Sequence, residues 1–464
     1  MVGIYNVNTP VGAMSDYIGH NSSGYIYYSD GTKATGGSFT AYGSSWPAGN
    51  IIGVALDLDA GTLAFYNNGT SQGTAFSGLS GNFVFAVTTY YLSSVKSVNF
   101  GQRPFAYTAP SGFKALCTQN LPTPTIGATS ATQANRNFAL STWVGNNGAQ
   151  TVTNNIDYTN GGGLVWFKPR DVTNNHFLVN SVLGYTKYLA PNTTAGEDTF
   201  DFGFTPSTTG FSFNASSSSV NQSPYNYIAW QWKAGGSTVT NTAGSLTSQV
   251  SANPTAGFSI LTYTGNAAAE QTIGHGLGAV PKMIIVKGRT GGNWPVYHSS
   301  TGRDQYTFLN DNAATNTVTG YWGSSGPTTT TFGVIGGGYG NNSGTAVAFC
   351  FAEVPGYSKI GSYTGNGSTN GPFVHCGFRP AFILIRYVGI EAWFLFDVAR
   401  GTYNPNMPFI QVNQYTAVEY AGDTPDILSN GFKLTTTSSS LNGSGQLQLF
   451  AAFAETPFKY ALAR

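Results

Sequence analysis

Apolar residues recur at every second position along most of this chain, and clusters of Gly, Asn or Ser interrupt them. The interruptions come every eight to twelve residues or so, which is the spacing typical of short strands joined by turns. Side chains two residues apart share one face of a β-strand, whereas a helix would need spacings of three and four. The pattern therefore predicts an all-β chain built as sandwiches or barrels.

The clearest predicted element is a hairpin in the first quarter of the chain. Residues 51–59 read IIGVALDLD, residues 62–66 read TLAFY, and Ala60-Gly61 lies between them. The second strand ends in Asn67-Asn68-Gly69, and Asx-Gly pairs of this kind favour tight turns. We expect two antiparallel strands.

This hairpin and its neighbours resemble the core of SPRY domains, a family of concanavalin-type β-sandwiches. The segments that carry the resemblance are GNIIGVALDLDAGTLAFYNNG, GTAF, LSGNFVFAV and VNFGQRPF, within residues 1–124. SPRY domains usually begin with a further strand or two before the segment that Val2-Gly3-Ile4 matches. We therefore expect a fragment of a longer protein; the alternative is a neighbouring subunit or element that covers this sheet edge.

After the Pro-rich connector at residues 121–124, one pattern occurs three times, with a period of about a hundred residues that indicates domain-sized units. Each copy has a first strand ending in an aromatic-Xaa-Gly-Asn motif, a central strand ending in a cation, and an apolar closing strand. The matching positions are Trp143, Tyr263 and Tyr363; Lys168, Lys287 and Arg386; Trp294 and Trp393; then Glu353 and Glu455 after the closing strand. The predicted domains are 1–124 (SPRY-like), 125–235 (repeat 1), 236–356 (linker plus repeat 2) and 357–464 (repeat 3). The polar stretch between repeats 1 and 2 is predicted to be either a linker or an additional structural element.

The phrases SLTSQVSANPTAGFSI and GHGLGAVPKMIIVKGR resemble a repeat module of unknown chemistry from virion and tail proteins of tailed bacteriophages. That module is often joined to a SPRY domain. The resemblance covers residues 125–464 and implies a structural or adhesive role, since the family has no established catalytic residues to carry over.

Composition excludes several classes of protein. Only 8% of residues are charged, and 20 basic against 19 acidic side chains leave a net charge of +1, without the basic stripe that nucleic acid requires. Three cysteines predict neither a disulfide framework nor a metal site. The sequence has no membrane-spanning run and no signal peptide. We expect no nucleic acid, cofactor or membrane insertion, and a virion or extracellular location reached in a particle released by lysis.

Catalytic signals are weak. Asp57 and Asp59 share a strand face and could bind calcium with Asn67, but turn capping is the favoured interpretation because calcium needs more oxygen ligands. Glu353 and Glu455 recur at one position, which favours a structural partner such as the strand-end cation. The five histidines lack zinc-binding spacing. We predict that the chain is not an enzyme.

Aromatic side chains are the remaining candidates, because their faces stack on sugars while Asn and Thr supply hydrogen bonds. Trp46 with Tyr42, before the SPRY hairpin, is the first predicted ligand site. Trp322 with Tyr321 is the second, since Trp322 has no repeat partner and is expected to be exposed. Trp294 and Trp393 are expected in the core, because their recurrence is what core packing predicts.

The favoured function is a non-enzymatic structural protein of a bacteriophage tail fibre or appendage, with sandwiches stacked into a rod. We expect a homo-oligomer, a trimer by resemblance to phage fibres, that contacts other virion proteins and a host surface glycan or protein. A lectin-like adhesion module of a bacterial surface is the first alternative. A polysaccharide depolymerase is the second.

Overall fold

The computed structural model describes residues 1–6, 17–89, 95–117, 120, 125–127, 129, 132–214, 217–401, 403–404, 408–415 and 424–454. The chain divides into two compact units, Met1–Pro122 and Thr123–Arg464. Strands dominate both units, and the α-helices within the described residues are the four-residue α1 (Tyr158–Gly161) and α2 (Ser439–Asn442). No helix of these residues is long and apolar enough to cross a bilayer. The predicted all-β class is confirmed.

The first unit is a sandwich of two antiparallel sheets. Its strands are β1 (Val2–Asn6), β2 (Gly24–Tyr27), β3 (Thr32–Thr35), β4 (Ser38–Ala41), β5 (Ile52–Asp57), β6 (Thr62–Asn67), β7 (Thr70–Phe76) and β8 (Phe83–Val87). One sheet has the order β4-β3-β2-β1-β8 and the other the order β5-β6-β7. Ile4 and Tyr27 from the first sheet meet Leu63 and Phe65 from the second in one buried cluster.

The predicted hairpin is confirmed as β5 and β6, with Ala55 opposite Ala64 in the antiparallel register. Gly61 in the connecting turn has φ +64°, a left-handed conformation that a side chain would disfavour. Alternation along β6 buries Leu63 and Phe65, which is why this segment carried so clear a strand pattern.

The second unit, called the three-repeat unit below, contains one strand arrangement three times. Repeat 1 has β9 (Phe138–Val144), β10 (Gln150–Thr153), β11 (Gly163–Pro169), β12 (Phe177–Asn180), β13 (Lys187–Leu189), β14 (Asp198–Thr199), β15 (Thr205–Ser207), β16 (Gly210–Phe213) and β17 (Asn226–Lys233). Repeat 2 has β18 (Val239–Asn241), β19 (Ser248–Asn253), β20 (Phe258–Thr264), β21 (Gln271–Gly274), β22 (Met283–Gly288), β23 (Pro295–His298), β24 (Gln305–Phe308), β25 (Asn316–Thr317), β26 (Thr331–Val334) and β27 (Thr345–Phe351). Repeat 3 has β28 (Ser358–Thr364), β29 (Phe373–His375), β30 (Pro380–Tyr387), β31 (Phe394–Asp397), β32 (Phe409–Gln411), β33 (Pro425–Leu428), β34 (Gly431–Leu434) and β35 (Leu447–Ala454).

Each repeat has a main sheet with the same five-strand order and a short second sheet. The main orders are β9-β17-β11-β12-β13, β20-β27-β22-β23-β24 and β28-β35-β30-β31-β32. The short sheets pair β10 with β16, β21 with β26, and β29 with β34. In each repeat the closing strand lies between the first strand and the central strand. This position in the middle of the sheet explains why the closing strand is so apolar in the sequence.

The stretch between repeats 1 and 2 forms an added hairpin. Its strands β18 and β19 extend the main sheet of repeat 2 beside β20. The Ser251 hydroxyl accepts from the Gly235 N–H at 3.1 Å and donates to the Gly236 carbonyl at 2.7 Å. These bonds join the end of repeat 1 to the start of repeat 2, so the segment is ordered sheet rather than linker.

Both faces of each main sheet are buried. On β11, Val165 and Phe167 face the short sheet of their own repeat, whereas Leu164 and Trp166 face a core that all three repeats share. Phe351 of repeat 2 and Phe453 of repeat 3 belong to this shared core. An apolar cavity of about 20 Å³ lies within it, between side chains of all three repeats.

This arrangement differs from the expected rod of stacked sandwiches. Each main sheet has a second apolar face, and the other two repeats cover it, so the repeats pack side by side around a common core. The domain boundaries at residues 235 and 356 stay predictions, because repeats that share one core form one compact unit.

Backbone hydrogen bonds between loops close the three repeats into a cycle. In each repeat, the loop after the central strand meets the loop after the fifth main-sheet strand (β13, β24 or β32) of another repeat. Repeat 2 meets repeat 1, repeat 3 meets repeat 2, and repeat 1 meets repeat 3. The bonds are Gly292 N to Thr194 O at 2.9 Å, Thr315 N to Val388 O at 2.8 Å, and Asn174 N to Tyr415 O at 2.9 Å.

Truncating Phe453 tests the shared core. Its ring lies 5.2 Å from Phe138 of repeat 1, 6.0 Å from Phe351 of repeat 2 and 6.0 Å from Phe382 of repeat 3. Because the substitution leaves a cavity at the meeting point, Phe453→Ala should lower the free energy of unfolding by about 3–5 kcal/mol. Urea unfolding followed by tryptophan fluorescence measures this, with the exposed Phe373→Ala of repeat 3 as matched control. Equal effects of the two substitutions would contradict a shared core.

Candidate functional site

The first predicted ligand site lies largely inside the first unit. Trp46 is 8% exposed and packs against Tyr27, with ring centroids 6.1 Å apart. The Lys96 ammonium lies 5.2 Å from the Trp46 ring centroid. Tyr42 is half-buried, and its hydroxyl donates to the Gly73 carbonyl at 2.5 Å and accepts from the Phe65 N–H at 3.2 Å. Trp46 belongs to the buried cluster of the sandwich, and Tyr42 joins β6 to β7. Ligand binding through them stays a prediction.

The expected exposure of Trp322 is wrong. Trp322 is 0% exposed, and its Nε1 donates to the Gln305 carbonyl at 3.0 Å. Tyr321 is also buried and stacks on Tyr306 with ring centroids 3.9 Å apart. A glycine-rich sequence suggested an open loop, but here the glycines let the chain fold closely over two large rings. Neither ring has a free face for a sugar.

The acidic side chains of the SPRY hairpin act locally. Asp57 Oδ1 accepts from the Asp59 N–H at 3.0 Å and the Ala60 N–H at 2.9 Å, which is the geometry of a turn cap. Among the described residues, no group of three or more His, Cys, Asp or Glu side chains could hold a metal ion.

Glu353 has a different partner from the one expected. Its carboxylate pairs with Lys359 at 3.2 Å and accepts from the Ile360 N–H at 2.8 Å, rather than meeting a strand-end cation. These contacts fasten the start of repeat 3 to the end of repeat 2. Glu455 lies outside the described residues.

The strand-end cations are buried, and one of them, Arg386, binds to another repeat. Lys287 and Arg386 are both 0% exposed, and burial lowers the pKa of Lys287 to about 8 and that of Arg386 to about 10. Arg386 of repeat 3 donates to the carbonyls of Phe308 at 3.2 Å and Asp311 at 2.7 Å in repeat 2. The guanidinium thereby replaces its lost water with carbonyls of a neighbouring repeat.

The two recurring tryptophans are core residues, as expected, and they also join the repeats. Trp294 Nε1 of repeat 2 donates to the Thr193 carbonyl of repeat 1 at 3.0 Å. Trp393 Nε1 of repeat 3 donates to the Phe308 carbonyl of repeat 2 at 3.0 Å. The cations stack over these rings, Lys287 at 5.3 Å from Trp294 and Arg386 at 5.8 Å from Trp393.

In repeat 1, His176 stands where the other repeats have tryptophan. It directly precedes β12, as Trp294 precedes β23 and Trp393 precedes β31. The ring is fully buried beside the main chain of Gln411 in repeat 3, and its Nδ1 accepts from Trp166 Nε1 at 3.0 Å. We call His176, Trp294 and Trp393 the junction residues, since each links its repeat to a different one.

A second set of equivalent positions lies at the ends of β12, β23 and β31. Asn180, His298 and Asp397 each accept a hydrogen bond from the backbone N–H two residues ahead. Two of them also reach another repeat: His298 Nε2 lies 3.2 Å from the Phe450 carbonyl, and Asp397 accepts from Trp230 Nε1 at 2.9 Å.

Asp397 forms an ion pair that is fully buried on both sides. Its Oδ2 lies 2.6 Å from Arg400 Nε, and both side chains are 0% exposed. The guanidinium carbon lies 5.7 Å from the Trp230 ring centroid of repeat 1. The carboxylate is therefore saturated by a cation and an indole N–H, and it has no freedom to act as an acid or a nucleophile.

Sequence reasoning missed a clasp of asparagines that occurs in all three repeats. Buried asparagines just before the closing strand accept from the backbone N–H of the Asn in the aromatic-Xaa-Gly-Asn motif. The Oδ1 to N distances are 3.1 Å for Asn221 with Asn146, 3.0 Å for Asn341 with Asn266, and 2.9 Å for Asn442 with Asn366. An Asn four or five residues before each closing strand was the available signal.

The aromatic residue of the same motif completes the clasp. Trp143 Nε1, the Tyr263 hydroxyl and the Tyr363 hydroxyl donate to the carbonyl just before the buried asparagine, at 2.9, 2.5 and 2.7 Å. The motif thus fastens the end of the first strand to the loop that leads into the closing strand. Its recurrence reflects folding rather than ligand binding.

Comparison with known proteins agrees with this division of the chain. The family model described as "Domain of unknown function (DUF7483)" matches residues 133–457, more than half of the chain. The chain belongs to the DUF7483 family. The DUF7483 match falls within the three-repeat unit, so the family corresponds to the cycle of repeats rather than to a single copy.

The chain also carries a SPRY domain, whose family model matches residues 1–103. A curated relative, the E3 ubiquitin-protein ligase RKP of Arabidopsis thaliana, is 37% identical over 86 residues. This alignment covers 18% of the chain and 6% of the ligase. The likeness is thus that of a short segment in a much longer relative.

Removing one clasp tests its structural role. Asn341→Ala takes away the acceptor for Asn266 N–H and the donor to the Ala268 carbonyl at 2.9 Å, leaving buried backbone groups unpaired. The free energy of unfolding should fall by about 1–3 kcal/mol, measured by urea titration. The adjacent Asn342→Ala removes an exposed amide and is the matched control, expected within about 0.5 kcal/mol of the parent chain. A full-sized effect of the control would contradict the assignment.

Proposed function

We propose that this protein is a non-enzymatic structural and binding protein in which the three-repeat unit is a rigid support and the SPRY domain is the recognition element. We place it in a bacteriophage virion, as part of a tail fibre or appendage.

One observation carries the structural half of the proposal. Five side chains of the three-repeat unit that are suited to acid–base chemistry are committed to internal contacts. Lys287, Arg386 and Asp397 are buried and paired, and the histidines His176 and His298 are buried at contacts between repeats. An active site instead needs such groups to open into a cleft that admits substrate.

The virion assignment rests on composition and on the resemblance of the repeats to modules of phage tail proteins. A charged fraction of 8% and 60 glycines suit large contacts made through backbone and amide hydrogen bonds. We expect a homotrimer that also binds other virion proteins.

The recognition half rests on the SPRY domain. The likeness to the plant ligase extends over only 86 residues and 6% of that protein, which supports a portable binding domain rather than a shared reaction. We expect the SPRY domain to bind a protein or glycan of the host surface.

Light scattering with low-angle X-ray scattering on the purified full chain tests the assembly. A discrete trimer with an elongated envelope is the expected result, because the proposal needs self-association through the outer surfaces. A monomer at all concentrations would reject the fibre role and favour the lectin-like alternative. A glycan array, with Trp46→Ala beside the parent chain, would then test sugar binding directly.

A further inference from the structure

Three buried histidines of the three-repeat unit share one hydrogen-bond arrangement. In each, Nδ1 accepts from a fixed N–H: Trp166 Nε1 at 3.0 Å for His176, Leu277 N at 3.2 Å for His275, and Ser300 N at 3.2 Å for His298. An Nδ1 that accepts a hydrogen bond carries no proton, so each ring is neutral with its hydrogen on Nε2.

The opposite nitrogens of two of the rings lie at carbonyls, which fits that tautomer. Nε2 of His298 lies 3.2 Å from the Phe450 carbonyl, and Nε2 of His275 lies 3.1 Å from the Thr328 carbonyl. The His176 ring lies beside the main chain of Gln411 and Gln414. A second proton on any of these rings would point at an N–H donor, so protonation must break the existing contact.

The positions of the histidines differ in a way that singles out repeat 3. His176 belongs to repeat 1 and contacts repeat 3, and His298 belongs to repeat 2 and contacts repeat 3. His275 and its partners all lie within repeat 2. The contact between repeats 1 and 2 instead uses the Trp294 bond and an ion pair of Arg289 with Glu197 at 2.6 Å.

Charges around His176 reinforce its neutral form. Burial is the main cause of the lowered pKa of His176, and Lys168 on its own repeat and Arg400 on repeat 3 lower it further. The main chain of Gln411 and Gln414 raises this pKa, but less than burial lowers it. Asp397, which neutralises Arg400, faces Trp230 rather than the imidazole. Around His298 the facing groups are main-chain atoms, and burial lowers its pKa to about 4.

We propose that acidification releases repeat 3 from its two neighbours while repeats 1 and 2 remain joined. The sign follows from linkage: both interface histidines are neutral in the closed unit and titrate near 6.5 once solvated. Closed-state stability is therefore fully present above about pH 6.5 and decreases as the pH falls below that value. With two histidines released together, the opening equilibrium constant rises by up to about a hundredfold per pH unit.

Hydrogen exchange with mass spectrometry on the full chain, at pH values of about 7, 5.5 and 4.5, follows the opening. After correction for intrinsic rates, the main sheet of repeat 3 (β28, β35 and β30) should lose protection first. The central strands β11 and β22 of repeats 1 and 2 should keep theirs over the same interval. Simultaneous loss in all three repeats, or no loss in repeat 3, would overturn the proposal.

Substitutions that keep the acceptor but do not titrate sharpen the test. His176→Asn with His298→Asn leaves an oxygen near each former Nδ1, and Asn180 already holds the His298 position in repeat 1. The double variant should keep repeat 3 protected at about pH 5, with at least a tenfold higher protection factor than the parent chain. His275→Asn is the matched control and should leave the opening of repeat 3 unchanged.

If repeat 3 of the double variant loses protection with the same pH dependence as in the parent chain, the proposal is wrong. If the double variant is already open at neutral pH, the single variant His298→Asn replaces it in the test. Because one titrating histidine then remains, the opening equilibrium constant should rise by up to about tenfold per pH unit. The order in which the three repeats lose protection in the parent chain can be measured without any substitution. This order tests the proposal whatever the variants do.

Discussion

The structure of the three-repeat unit depends on the second apolar face of each main sheet. A sheet in a two-layer sandwich normally covers one face and leaves the other to water. Here β11, β22 and β30 are buried on both faces, so a single repeat would expose a row of large side chains such as Trp166 and Phe382. The other two repeats remove that surface from water, and the resulting contacts fix the chain as one body.

The polar architecture follows from this burial. Cations at the ends of the central strands lie inside the body, where an unpaired charge would be strongly unfavourable. Arg386 is therefore satisfied by carbonyls of repeat 2 and by the face of Trp393, and Asp397 is satisfied by Arg400 and Trp230. These residue types suggest chemistry in a sequence, yet their partners here show that they hold repeats together.

Much of the fold could be predicted from the sequence because the signals were local or repeated. The alternating segments on either side of Ala60-Gly61 predicted the SPRY hairpin, and self-comparison found the three copies and the core role of Trp294 and Trp393. The shared core could not be found this way, because strand alternation shows that a face is apolar but not what covers it. Trp322 was misjudged for a related reason: absence of a repeat partner does not indicate exposure.

The candidate site was less predictable, because equivalent positions carry different residues. His176 replaces a tryptophan, and Asn180, His298 and Asp397 share one backbone role with three different side chains. Identical subunits on a threefold axis must change all their contacts at once when one codon changes. Three copies within one chain can diverge one at a time. Each contact between two repeats can therefore evolve different side chains while the fold stays constant.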